Sequence, residues 1–281
     1  MIMGYSHYGK QAEVWKHLPL CDIIAQEQPT TYIETNSASA NYTLTHTPEQ
    51  QYGIYHFIEK GKENPVNNSI YFRLENEAMQ MNQYIGSPGL AMSILKDTCQ
   101  YIFFDLDTEA LQNIEEFGRK QTLTKQIILH NIDSLTGMMK LLPELSPNAF
   151  IHIDPYVINE PGSNGLTYLD IFIEATKLDL KCLLWYGYQT HNEKRELEEL
   201  IRSSCKLENK HSISCHELTL KIIEPDTQPC TPGVLGSGLL ASNISSISNT
   251  QIGKYCDLLI DLYKGSSYRG YNGDLYKDII L

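Results

Sequence analysis

Several things are scarce in this 281-residue chain, and each scarcity argues against a class of function. No apolar run approaches the ~20 residues that cross a bilayer, and no basic start leads into an apolar signal core. The seven cysteines are an odd number and contain no Cys-x-x-Cys pair. They sit mostly in apolar runs, so reduced, buried thiols in a soluble, cytoplasmic protein are the expectation. Positive charge is short: 22 Lys and Arg stand against 34 Asp and Glu, a net charge of −12. That balance argues against a surface that grips nucleic-acid phosphates generally, and leaves local patches only. Lys10 with Lys16, the Lys60-Gly61-Lys62 turn, and Arg119-Lys120 with Lys125 are such patches, and each reads first as a solvated face. None of the nine histidines forms an i, i+4 pair with a supporting acid, and His211 with Cys215 and His216 is half a ligand set at most. Gly236-Ser237-Gly238 is not a nucleophile elbow.

What the chain does have is an alternation of strand-length apolar runs and helical stretches, the pattern of a parallel sheet wound with crossover helices. Strands are expected at residues 31–35, 101–105, 126–130, 149–154, 181–186, 217–223 and 235–244, and helices at 10–25, 108–117, 134–142, 166–178, 192–203 and 252–264. The fold class is α/β. From about Thr43 to Met92 the alternation stops, and the segment is too long for a simple crossover. Residues 43–92 are expected to form an inserted, mainly helical subdomain, with 1–42 and 93–281 forming the main domain. Residues 265–281 show little periodicity and read as a loop-like tail or a short packed extension.

Ligands in such a sheet bind beyond the carboxyl ends of the strands. After the first strand the turn reads Glu34-Thr35-Asn36-Ser37-Ala38-Ser39-Ala40-Asn41-Tyr42, with small residues but no glycine. Alanine replaces glycine freely where φ is negative and at a steric cost where φ is positive. The second strand ends in Asp105-Leu106-Asp107, where an acid can bond ribose hydroxyls, while Asp107 has the character of a helix N-cap. Asp133 after the third strand either bonds an adenine amine or caps the helix that follows. Lys16 and His17 on the first helix could face a carboxylate or phosphate, a solvated face being the default. Asp154-Pro155-Tyr156 closes the fourth strand with an acid, a proline and an aromatic ring, a set suited to holding an exocyclic amine beside a stacked base.

In this order the pieces resemble the RlmJ family of 23S ribosomal RNA adenine-N6 methyltransferases, also described as proteins linked to use of external DNA. Tyr5-Ser6-His7 and Ala12-Glu13-Val14-Trp15-Lys16-His17 are similar to the family's opening. Tyr32-Ile33-Glu34-Thr35-Asn36, Gly86-Ser87-Pro88, Leu184-Trp185-Tyr186 and Gly236-Ser237-Gly238 resemble later segments, so the likeness runs nearly the whole length. It implies a Rossmann-like class I sheet. It also implies S-adenosylmethionine held by Lys16, His17, Asn36, Ser87, Asp105 and Asp133, and ribosomal RNA as partner. Asp154 and the Pro155 carbonyl would hold the target amine, Tyr156 would stack on the base, and Tyr5 would close over the site. The sequence departs from the family at the turn, where Ala-Gly-Ala-Gly is Ser37-Ala38-Ser39-Ala40, and at Asp-Pro-Pro-Tyr, where one proline is missing. Those departures keep open a second expectation, a catalytically impaired relative that binds nucleotide or nucleic acid.

Overall fold

The structure, a computed structural model, describes residues 8–155, 157–206, 212–221, 234–268 and 271–281. Tyr5, Tyr156 and His211 lie outside the described residues. Among those described, eight strands form one sheet: β1 (Thr31–Thr35), β2 (Gln100–Phe104), β3 (Ile127–His130), β4 (Ala149–Ile153), β5 (Lys181–Tyr188), β6 (Ile213–Leu220), β7 (Gly236–Ser242) and β8 (Leu275–Ile279). Their spatial order is β8-β6-β7-β5-β4-β1-β2-β3. β1 to β5 pair in parallel, whereas β7 runs antiparallel to β5 and β6, and β8 antiparallel to β6. This is a Rossmann-like α/β fold. Its order reverses between β1 and β4, which leaves a crevice beyond their carboxyl ends.

The sheet's centre is apolar because its strands are covered on both faces. Every residue of β4 is buried, as are Tyr32 to Thr35 of β1. The helix α1 (Gln11–Glu27) is buried over most of its surface, which explains its weak amphipathic pattern. Its polar Lys16 and His17 are only 3% and 2% exposed, so the expected solvated face is instead an interior one. Helices after β2, β3 and β5 begin where the sequence places acceptors. Asp107 Oδ1 accepts from Glu109 N at 2.9 Å, Asp133 Oδ2 from Thr136 N at 3.0 Å, and Thr190 Oγ1 from Glu193 N at 3.0 Å.

Three segments differ most from the sequence reading. The last helix spans Ser246–Tyr263 and starts six residues earlier, because Ser245 Oγ accepts from Ser248 N at 3.2 Å and caps it. β6 begins at Ile213, its polar His216, Glu217 and Thr219 being buried by tertiary neighbours that no local pattern announces. The closing segment is an edge strand, Leu275–Ile279, only partly covered and so without a clean alternation. Residues 43–92 carry helices at His56–Gly61 and Ile70–Met79. The strand Gln83–Ile85 pairs with Asn41–Thr43 in a ribbon separate from the main sheet. The helix Ser87–Leu95 then returns the chain to α1. The six described cysteines are buried and free. No helix among the described residues is long and apolar enough to cross a membrane.

Candidate functional site

The crevice holds a cleft of ≈ 270 Å³. Asn36, Ser37, Ala38 and Ser39 line it from the turn after β1, Asp154 and Pro155 from the end of β4, and Glu13, Lys16 and His17 from α1. Gly86 and Ser87, Trp185 near the end of β5, and the rings of Tyr8, Tyr42 and Tyr84 also line it, with Lys10, Ala12 and Val234. A smaller cavity of ≈ 110 Å³ lies beside it, lined by Asp105, Leu106, Ile132, Asp133, Ser134 and Tyr168. Asn36 borders both. Its amide nitrogen donates to Tyr168 Oη at 2.9 Å, and the Tyr168 and Ser134 hydroxyls are 2.9 Å apart, so this bridge stands between the two cavities.

The charged group in the cleft is a cluster around one ammonium. Lys16 Nζ lies 2.5 Å from Asp154 Oδ2, 3.0 Å from Glu13 Oε1 and 5.2 Å from the centre of the Trp185 ring. Burial opposes the charge on Lys16, but the carboxylates of Asp154 and Glu13 more than offset it and hold the ammonium above its ordinary pKa. Glu13 is pushed up by burial and by Asp154, with Lys16 pulling the other way. His17 is kept neutral, well below its ordinary pKa, first by burial and then by Lys16. Its Nδ1 is 2.8 Å from Tyr84 Oη, and its buried Nε2 has no hydrogen-bond partner.

Beneath the cleft, in-register pairing of β1 with β4 puts Glu34 beside His152. Glu34 Oε1 is 3.1 Å from His152 Nδ1, Tyr32 Oη donates to Glu34 Oε2 at 3.0 Å, and Ser87 Oγ donates to Glu34 Oε1. Ser87 is thereby fixed at the first turn of its helix.

The turn after β1 needs the backbone freedom that glycine gives and does without it. Asn36 has φ +54° and Ala38 φ +52°. Asparagine visits that region with little cost, whereas alanine is strained by ~1–2 kcal/mol. The facing segment supplies the missing space instead. A Cβ on Gly86 would lie 2.1 Å from Ser39 O, and one on Gly89 would lie 2.2 Å from Ala40 O. Asp105 holds the turn from the other side, its Oδ2 accepting from Ala38 N at 2.7 Å and its Oδ1 from Asp107 N at 2.8 Å.

Lys16, His17, Asn36, Ser87, Asp154 and Pro155 therefore meet in one cleft, and Asp105 and Asp133 stand at the neighbouring cavity. Sequence reasoning missed Glu13, Trp185, Tyr168 and the Tyr8–Tyr42 pair, whose rings stack at 4.4 Å. For Glu13 a signal was present, since Glu13 and Lys16 are three apart on one helix. For Trp185 and Tyr168 nothing local points to the crevice.

No family model matches the sequence, and no curated protein does. Among solved structures, the chain is similar to a Legionella pneumophila protein described by the family DUF519. Identity is 20%, 97% of each chain is covered, and the TM-score is 0.76, a likeness of fold. Weaker overlaps are found with a SAM-dependent methyltransferase from Agrobacterium tumefaciens (14% identity, 81% of this chain and 60% of that one, TM-score 0.42). An O-methyltransferase from Bacillus cereus in complex with SAH overlaps at 10% identity, 82% of this chain and 80% of that one, with TM-score 0.43.

Proposed function

We propose that this chain is an S-adenosylmethionine-dependent methyltransferase acting on an adenine N6 amine in ribosomal RNA. The observation that carries the reading is Asp154-Pro155 at the carboxyl end of β4, facing Lys16 and Glu13 across the switch-point cleft. The donor set suits the cofactor. Lys16 offers a cation for its carboxylate, Glu13 a partner for its ammonium, and the cavity around Asp105, Ile132 and Asp133 an apolar wall with carboxylates for its nucleoside. The unpartnered His17 Nε2 adds a polar atom at the cleft wall. When bound, S-adenosylmethionine supplies an electrophilic methyl carbon on its sulfonium.

The protein's own part is to bind and aim the nucleophile. Asp154 and the Pro155 carbonyl accept the two N–H groups of the adenine amine, which draws electron density to nitrogen and fixes its lone pair. The Asp154 carboxylate then accepts the proton that the methylated amine must lose. Tyr8 and Tyr42 give the base an aromatic surface at the cleft mouth, where stacking is worth ~1–3 kcal/mol.

Calorimetry with S-adenosylhomocysteine and labelled methyl transfer to unmodified ribosomal RNA test this reading. Wild type should bind and transfer. Asp154→Ala should lose transfer by at least ~100-fold, with cofactor affinity changed only a few-fold. Absence of cofactor binding by the wild type would overturn the proposal. One observation favours a second reading. The amides of residues 37–41 are all hydrogen-bonded within the protein, which suits a catalytically silent relative that keeps a nucleotide or nucleic-acid pocket, with a link to use of external DNA. Cofactor binding without transfer to any RNA would select it.

A further inference from the structure

The turn that would be expected to hold a cofactor's carboxylate has already committed its donors. Ser37 N donates to Phe104 O at 3.0 Å, Ala38 N to Asp105, Ser39 N to Tyr42 Oη at 2.9 Å, and Ala40 N and Asn41 N to Asn113 Oδ1 at 2.9 and 3.2 Å. An amino-acid carboxylate entering the cleft meets none of these amides uncommitted, and a side-chain cation is the group suited to it. Among the described residues Lys10 and Lys16 line the cleft, and Lys16 is the one fixed at its floor, 3% exposed. Its ammonium is engaged with the carboxylate that the proposed reaction needs for the adenine amine.

One cation thus has two claimants. We propose that Lys16 is a positioning residue that masks Asp154 until the carboxylate of the cofactor takes its ammonium, so that the base-binding acid is released only after the cofactor is in place. The inference rests on the methyltransferase reading and adds to it an order of binding. Charge makes the exchange feasible. Lys16, Glu13 and Asp154 sum to −1 when ionised, and S-adenosylmethionine brings one carboxylate and two positive centres, so this cluster together with the cofactor is neutral. Glu13, already 3.0 Å from Lys16, keeps the ammonium from following Asp154 and is placed to meet the cofactor's own ammonium. Without a cofactor, Asp154 Oδ2 is held by Lys16. With one, that oxygen turns to the substrate.

Two probes separate the carboxylate from the rest of the cofactor. S-adenosylhomocysteine carries the amino-acid end, whereas 5′-deoxy-5′-methylthioadenosine keeps the nucleoside and thioether and lacks it. Affinity for an adenine-containing single-stranded RNA oligonucleotide is measured by fluorescence anisotropy on the full chain, alone and saturated with each probe. S-adenosylhomocysteine should tighten RNA binding by at least about fivefold, within the usual range of coupling between sites, and methylthioadenosine should not. Lys16→Met should make RNA affinity independent of S-adenosylhomocysteine, and Lys16→Arg, which keeps the cation, should restore the dependence. Equal RNA affinity with and without S-adenosylhomocysteine, or an equal gain from both probes, overturns the masking while leaving the methyltransferase reading intact. Failure of S-adenosylhomocysteine to bind the wild type overturns both.

Discussion

At the scale of single residues, one buried acid gives the fold a dependence on pH. Glu75 is fully buried, and its two oxygens accept from Ile85 N at 3.2 and 3.3 Å. Burial pushes its carboxyl well above the usual carboxylate range, opposed only in part by that hydrogen bond. A carboxyl raised on folding contributes most below its unfolded value, near 4.5, and its contribution is lost as pH rises through the folded value. Glu75→Gln keeps an acceptor for Ile85 N and does not titrate. The melting temperature of the variant should therefore gain on wild type as pH is raised from 5 to 8, and a difference constant across that range would show that folding does not raise the Glu75 carboxyl. His17 works in the opposite sense, since a buried neutral imidazole costs stability as pH falls below its unfolded value near 6.5.

At the scale of elements, the turn between β1 and the short ribbon shows how a backbone requirement can migrate. Ala38 bears a left-handed φ of +52° that glycine would adopt freely. Ala38→Gly should stabilise the fold by about 0.5–1 kcal/mol, the relieved strain less the extra entropy of the unfolded chain. Thermal denaturation would read this as a small rise in melting temperature, and a fall would mean that the methyl group packs better than the backbone suffers. The reverse holds across the turn. A methyl on Gly89 would stand 2.2 Å from Ala40 O and 2.7 Å from Ile85 Cγ2. Gly89→Ala should cost about 1–3 kcal/mol by overpacking, and it should weaken S-adenosylhomocysteine binding because the displaced turn lines the cleft. Unchanged melting and binding would show that the helix Ser87–Leu95 yields instead.

At the scale of the whole molecule, the sheet's edge and its centre are stabilised differently. The centre is apolar, with Ile33, Phe103, Ile151 and Leu183 fully buried. The β6–β8 edge is tied by charge. Lys194 on the helix His191–Cys205 contacts Glu198, lies 2.7 Å from Glu217 and 2.9 Å from Asp278, and so fastens helix, β6 and β8 together. Residues from three elements distant in the chain meet at one point in space. The cleft is built the same way, from α1, the ends of β1, β4 and β5, and the helix beginning at Ser87.

How much of this was legible follows from which forces are local. Strands β1 to β5 and their helices could be read from the sequence, because burial on both faces demands runs such as Ala149 to Ile153, and because Asp107, Asp133 and Thr190 cap helices through hydrogen bonds spanning two or three residues. The chain by itself also placed Asp154-Pro155 at a strand end and Lys16 and His17 on the first helix, and it exposed the absence of glycine between Glu34 and Tyr42. It could not show the edge strand Leu275–Ile279, whose half-covered residues leave no clear period. Nor could it show that Lys16 points inward at Asp154, 138 positions away. Packing alone decides which of two faces of a helix is buried, when polar residues occupy both. For the same reason the glycines that make room for the turn lie at positions 86 and 89, where only the fold reveals a close approach.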